Sequence, residues 1–371
     1  MKRRHLLAAF AASLLPRPGL AQSTSTSSGK ASLNEVAKGL DHPWSLAFLP
    51  NDHMLVTERP GRLRVVSPEG SLSKPVSGVP EVDAVGQGGL LDVVLHPQFD
   101  TTRLIFLSFA ELREGGNGSS VLRAKLSDDY SSLDDVQVIF RQQPAGQGGN
   151  HFGCRLAFDK QGALFVTLGD RLRMRTSVQS TDNHIGKIIR ITEDGGVPAD
   201  NPKPSGWLPE IWSIGHRNVQ GAAVHPETGE LWTVEHGARG GDEVNRPQAG
   251  RNYGWPVISF GREYSGERIG EGTAKAGMEQ PVHYWDPSIA PSGMAFCMGS
   301  RYPQWTGNLF VGALVKQHLA RLVLEGGKVV GEEKLFDGYA RFRDVRQGPD
   351  GYLYVLTDEG GPEGRVLRVM T

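Results

Sequence analysis

The feature that most restricts what this chain can fold into is a theme that recurs six times. An apolar strand runs into a turn rich in Pro, Asp, Asn or Gly, and a second apolar strand follows. The copies pair residues 44–48 with 54–57, 91–95 with 104–107, 222–224 with 231–234, 294–296 with 309–311 and 342–345 with 353–355. Another runs from Arg155 to Leu168 about a Lys160-Gln161-Gly162 turn, where a glycine able to take positive φ joins two short strands. The mean spacing of roughly 58 residues is that of a four-stranded propeller blade with its loops. An all-β, six-bladed β-propeller with four-stranded blades follows. A strand over 33–40 is expected to pair with one over 365–370 and so close the ring, which removes sheet edges.

Composition points the same way. Of 371 residues, 48 are Gly and 23 Pro, so turn formers are plentiful, and no long run of helical period interrupts the repeats. Residues 1–21 stand apart from this pattern. Lys2, Arg3 and Arg4 precede an apolar run over 6–15 that is too short to span a membrane, and Gly19-Leu20-Ala21 supplies small residues for cleavage. This reads as a secretory signal peptide with a loosely twin-arginine start, implying a periplasmic or secreted protein without stable membrane insertion. Residues 22–33, with a Ser/Thr run, read as a disordered leader, and 34–371 as a single catalytic propeller. Cleavage after Ala21 removes four of the 40 basic residues and none of the 41 acidic ones, leaving a net charge of −5. Nucleic acid is therefore not an expected partner. Cys154 and Cys297 are open to a disulfide or to two buried thiols.

The copies differ most in the loops between them. His151 ends a glycine-rich loop, Gly148-Gly149-Asn150-His151, and Asp170 leaves the far end of the strand pair that follows. An imidazole and a carboxylate at neighbouring hairpin ends form either a base with its orienter or ordinary polar loop residues. Six motifs then occur in order: Gln87-Gly88-Gly89-Leu90-Leu91-Asp92-Val93; His151-Phe152-Gly153-Cys154-Arg155-Leu156 with Leu168-Gly169-Asp170; Gly215-His216-Arg217-Asn218; Glu235-His236-Gly237-Ala238 with Gly241-Asp242-Glu243; Asn252-Tyr253-Gly254-Trp255-Pro256; and Arg341-Phe342-Arg343-Asp344-Val345. Together they resemble the pyrroloquinoline-quinone-dependent soluble glucose and aldose sugar dehydrogenases, over nearly all of 34–371. His236 and Ala238 stand where the glucose branch commonly has Gln and Pro, so the resemblance is nearer the aldose sugar branch.

The resemblance implies pyrroloquinoline quinone and calcium as cofactors and oxidation of an aldose at its anomeric carbon. It makes His151 the general base, Asp170 its orienter and Arg217 the group that stabilises charge on the quinone oxygen. Lys316, Arg341 and Arg343 become the cations for the quinone carboxylates, with Asn218, Ser288 and His236 as further cofactor contacts. Gln87 and Asp242 are assigned to the sugar, and calcium to the main chain at Gly237 and Ala238, since a hard cation accepts carbonyl oxygens. Arg341 and Arg343 flank Phe342 on a strand, so both guanidiniums are expected on one side, available for forked pairing with carboxylates. Asp286 falls where the glucose branch often has an aromatic residue.

An external electron acceptor, either a small redox protein or a quinone, is implied because the chain carries no haem-attachment Cys-x-x-Cys-His motif. Neither the preferred sugar nor the oligomeric state is legible. Two other functions share the scaffold: a calcium-dependent lactone hydrolase, and a sugar-binding propeller without catalysis.

Overall fold

The computed structural model describes residues 23–27 and 29–371. The expected signal peptide, 1–21, lies outside the described residues. Each of the six sequence copies forms the two innermost strands of one blade. The inner strands are Pro43–Phe48, Leu90–Leu95, Gly153–Phe158, Val219–Val224, Pro291–Phe296 and Phe342–Gln347. Each touches the next in a closed cycle, and each pairs antiparallel with the following strand outward. The result is a six-bladed β-propeller whose sheets hold three to five strands about a four-stranded plan.

Side-chain patterning follows position in the blade. Second strands such as Leu164–Leu168 and Leu309–Ala313 are buried along their whole length, because both faces meet neighbouring blades. The outermost strand Lys328–Leu335 mostly alternates between exposed and covered positions. Apolar clusters seal the blade interfaces. Leu46 and Val56 of the first blade meet Leu356 and Val366 of the sixth, and Phe106 and Val121 of the second meet Leu156 and Val166 of the third.

The last blade is completed from the start of the chain. Strand Gly29–Leu40 pairs with Gly364–Met370, placing Ser32 opposite Met370 and Leu40 opposite Gly364. The leader expected to be disordered is structured over its described residues. Strand Ser23–Thr26 folds back on residues 29–32, the Ser27 amide donates to Glu333 Oε1 at 2.6 Å, and Arg321 donates to Ser27 Oγ at 2.7 Å. Serine and threonine need no apolar partner at a sheet edge, where main-chain bonds and two charged anchors suffice. The two cysteines are unbonded and buried in separate clusters.

The inner strands are joined across the ring axis by buried charge. Asp92 accepts from Ser45 Oγ at 2.5 Å, from Arg155 at 3.2 Å, from Arg346 at 2.9 Å and from the Leu156 amide at 2.7 Å. Asp344 accepts from Arg346 at 2.9 Å, and its other oxygen lies 3.0 Å from Arg155 without a well-aligned bond. The guanidinium of Arg155 stacks 3.9 Å from the Trp44 ring, so four blades share one network.

Antiparallel pairing brings the starts of the inner strands and the ends of the second strands to one face of the ring. His151, Arg217, Ser288 and Arg341 come before inner strands; Asp170, His236, Lys316 and Asp358 come after second strands. That face carries the main cavity.

Candidate active site

The cavity has a volume of about 940 Å³. Of the residues singled out in the sequence, Gln87, His236, Gly237, Ala238, Ser288, Lys316, Arg341 and Arg343 line it. Arg341 and Arg343 face it from either side of Phe342, which is fully buried in the core. Arg341 is held by a 3.2 Å bond to the Leu314 carbonyl, and Arg343 by a 3.3 Å bond to Gln220. The Arg343 Nε is buried with no hydrogen-bond partner among the described residues. Burial, together with the charges of Arg155, Arg59 and Arg341, pushes this guanidinium down to about 10 against the pull of Asp358. An orphaned donor among crowded cations is a site that fits a polyanion.

His151, Asp170 and Arg217 are buried and are not among the cavity-lining residues, although Phe152 and Gly153, next to His151, are. His151 has φ of 53°, and its loop passes so close to the next strand that a Cβ on Gly169 would lie 2.1 Å from the His151 carbonyl. Only glycine permits that approach. The His151 amide donates to Gln87 Oε1 at 2.8 Å, so the His151 loop and the exposed cavity amide are coupled through the main chain. The imidazole Nδ1 lies 2.7 Å from Asp170 Oδ1, and Nε2 has no hydrogen-bond partner among the described residues. With the Nδ1 proton donated to the carboxylate, the Nε2 lone pair is free.

Two residues given no role in the sequence complete this unit. Trp255 donates its indole N–H to Asp170 Oδ2 at 2.8 Å, and its ring lies 5.3 Å from the Arg217 guanidinium. Arg171 is buried against the Phe152 ring and donates to the carbonyls of Gly148 and Asn150 and to Asn117, which ties down the loop that carries His151. Trp255 sits within a motif quoted above, but nothing local to it points to Asp170, 85 positions away.

Electrostatics set the state of the His151 imidazole. Burial is the largest influence on His151 and, with Arg217 and Arg171, holds it below its ordinary value of 6.5 in spite of Asp170. For Asp170, burial pushes upward, but His151, Arg217 and the Leu172 amide outweigh it and hold the carboxyl low. At neutral pH the pair is therefore imidazole and carboxylate. Were His151 to act as a general base, its depression below 6.5 would leave it unprotonated at pH 7, and the acid limb of kcat/KM is expected below 6.5, with a flat region above it. A pH–rate profile with its acid limb centred above 7 would contradict this assignment.

Two expected contacts lie elsewhere. Asp242 was assigned to the sugar, but it is fully buried and outside the cavity lining. Its Oδ1 accepts from the Gly237 amide at 2.8 Å; its Oδ2 accepts from Ser288 Oγ at 2.6 Å and from the amides of Ile289 and Ala290 at 2.8 and 2.9 Å. It is a clamp between two cavity loops. Asn218 is likewise buried, its Oδ1 accepting from the Gly153 amide and from Gln220, and it is Gln220 that reaches the cavity. Burial comes first among the causes that press His236 down to about 4, with Arg217 and Arg343 adding to it, so it is neutral when its Nε2 meets the Pro291 carbonyl at 2.7 Å. Arg59, missed in the sequence, also lines the cavity and donates to the Gly86 carbonyl at 2.8 Å.

Among the described residues no group of three or more His, Cys, Asp or Glu side chains is arranged to hold a metal. Gly237, which lines the cavity, makes a turn so tight that a Cβ would lie 2.2 Å from the Gly240 carbonyl.

Comparison with known proteins places this geometry. A glucose/sorbosone dehydrogenase family model matches residues 40–368. The chain is 50% identical over 337 residues to the aldose sugar dehydrogenase YliI of Escherichia coli, covering 89% of this chain and 90% of that protein. The structure of the soluble aldose sugar dehydrogenase of Escherichia coli in its apo-form aligns with a TM-score of 0.88 at 49% identity, over 92% of this chain and 99% of that one. The PQQ-bound form of an aldose sugar dehydrogenase from Streptomyces coelicolor aligns with a TM-score of 0.77 at 27% identity, over 94% and 99%.

Proposed function

Because the chain belongs to the glucose/sorbosone dehydrogenase family and is a sugar-oxidising enzyme of that class, we propose that it converts aldoses to lactones at the anomeric carbon, with pyrroloquinoline quinone as hydride acceptor and His151 as general base. The observation that carries this reading is the set of cations lining one cavity, where the Nε groups of Arg59 and Arg343 are buried without a hydrogen-bond partner among the described residues, together with a buried imidazole whose Nδ1 meets Asp170.

Lys316, Arg341 and Arg343 would hold the three carboxylates of the cofactor, and the main chain at Gly237 and Ala238 would hold calcium. When bound, the quinone supplies an electrophilic carbonyl and calcium supplies Lewis acidity. The chain does the rest. Gln87 orients the sugar beside His151, and Nε2 takes the proton of the anomeric hydroxyl, which makes that carbon a far better hydride donor. Asp170, braced by Trp255, keeps the imidazole in the tautomer that leaves Nε2 free and favours the imidazolium once formed. Arg217, fixed through the His236 carbonyl at 3.2 Å, supplies positive charge where negative charge develops on the acceptor oxygen.

Reconstitution tests the reading. Purified protein stripped of cofactor, mixed with pyrroloquinoline quinone and calcium, is expected to reduce an artificial dye with glucose and other aldoses, and to need both additions. Turnover without the quinone would overturn it. The basic and apolar start of the chain supports export, and the reduced cofactor would pass its electrons to a separate redox protein or quinone there.

A further inference from the structure

Asp170 and Arg171 are consecutive in the chain, and both act on His151, one on its ring and the other on its main chain. Asp170 Oδ1 meets the imidazole Nδ1 and also accepts from the Leu172 amide, each at 2.7 Å. Arg171 and Leu172 then take φ of 55° and 56°, a conformation uncommon outside glycine. That reversal carries Arg171 back onto the loop over residues 148–151. Three of the four loop carbonyls accept from it: Asn150 from Nη1, Gly148 from Nη2 at 2.7 Å, and His151 from the Arg171 amide at 3.3 Å. The fourth, of Gly149, accepts from the Gln87 amide at 2.7 Å.

Arg171 is 2% exposed, and among the described residues no carboxylate forms an ion pair with it. Its link to charge is indirect: Asn117 accepts from Nη2 and donates its own amide to Asp83 Oδ2 at 2.6 Å. Burial pushes the guanidinium down to about 10. A buried cation without a carboxylate partner is costly unless its N–H groups are bonded, and here those bonds go to one loop and to the asparagine beside it.

We propose that Arg171 is a positioning residue for the sugar oxidation: Asp170 fixes the ring of His151, and Arg171 fixes the main chain that carries it, so that Nε2 is presented from one place. Its charge is part of the same role. The charged groups that act on the imidazole are Asp170, which favours the protonated ring, and Arg217 and Arg171, which oppose it. The catalytic consequence rests on the base role proposed above for His151; the anchoring of the loop does not.

Two substitutions in the quinone- and calcium-loaded enzyme separate position from charge. Arg171→Lys keeps the charge and loses the fork, whereas Arg171→Met loses both. Hydrogen exchange of the amides over 146–153, read by mass spectrometry, is expected to quicken about ten-fold in each. For glucose, kcat is expected to fall about 10- to 100-fold in both, with KM within about three-fold of the parent. The acid limb of kcat/KM is expected to stay in place with lysine and to move to higher pH with methionine, a signed shift that general loosening of the fold would not give. Should the methionine variant not fold, the lysine variant carries the exchange and kcat measurements alone. Unchanged exchange, an acid limb unmoved by methionine, or turnover within about three-fold of the parent while His151→Ala has lost it, would overturn the positioning role. Faster exchange with full turnover in both the Arg171 and the His151 variants would leave the loop anchor standing and remove the base role instead.

Discussion

Replacing His151 by alanine is expected to lower aldose turnover by about 10²- to 10⁴-fold, the usual contribution of a positioned general base, while leaving quinone affinity unchanged. The separation follows from the geometry. The imidazole is not among the cavity-lining groups and, among the described residues, its one side-chain hydrogen-bond partner is Asp170, whereas the cations proposed to hold the quinone come from other blades. Gln87 contacts the His151 amide rather than its ring, so the substitution leaves that contact in place. Titrating the variant with pyrroloquinoline quinone by absorbance and measuring single-turnover reduction by glucose separates the two properties. Turnover within ten-fold of the parent would remove His151 from the base role.

The second large effect concerns stability. Asp92→Ala is expected to cost about 3–5 kcal/mol, the range for removing one partner from a buried charge network. The variant leaves Arg155, which is 1% exposed, and Arg346 sharing the single carboxylate of Asp344, and it strands the Leu156 amide. Because four blades meet at this network, the loss should appear as a lower urea midpoint for the whole ring with an unchanged m value. The double variant Asp92→Ala with Arg155→Met should recover part of the loss, since it removes a stranded charge along with its partner. A cost below about 1 kcal/mol for the single variant would mean that the network is not a keystone.

Much of the fold is legible because it is written in local patterns. The Lys160-Gln161-Gly162 turn, the alternation around Phe342 and the strand over 33–40 each depend on neighbours in the chain or on a two-residue period. The His151–Asp170 contact is nearly local too, since both leave the same end of one hairpin. Residues whose roles were missed or misplaced depend instead on partners far along the chain. The resemblance assigns Asp242 to the sugar, and only the docking of residues 288–290 shows that its oxygens are already taken. The serine-rich leader reads as too polar to fold, and only the returning edge of the last blades supplies Glu333 and Arg321 to hold it.

The sequence by itself determined a ring of six blades, its closure by the first and last strands, and the family to which the loops belong. Short-range periodicity and turn chemistry are settled between residues a few positions apart, and six repetitions leave few ways to arrange them. Tertiary structure alone decided which polar groups face the cavity and which brace it, because that depends on which distant amide or carboxylate reaches a given group once the ring has closed. Asp242 and Asp286 show the difference. Both are carboxylates near the same loops, yet one is saturated by four donors and buried, and the other lines the cavity with no side-chain partner among the described residues.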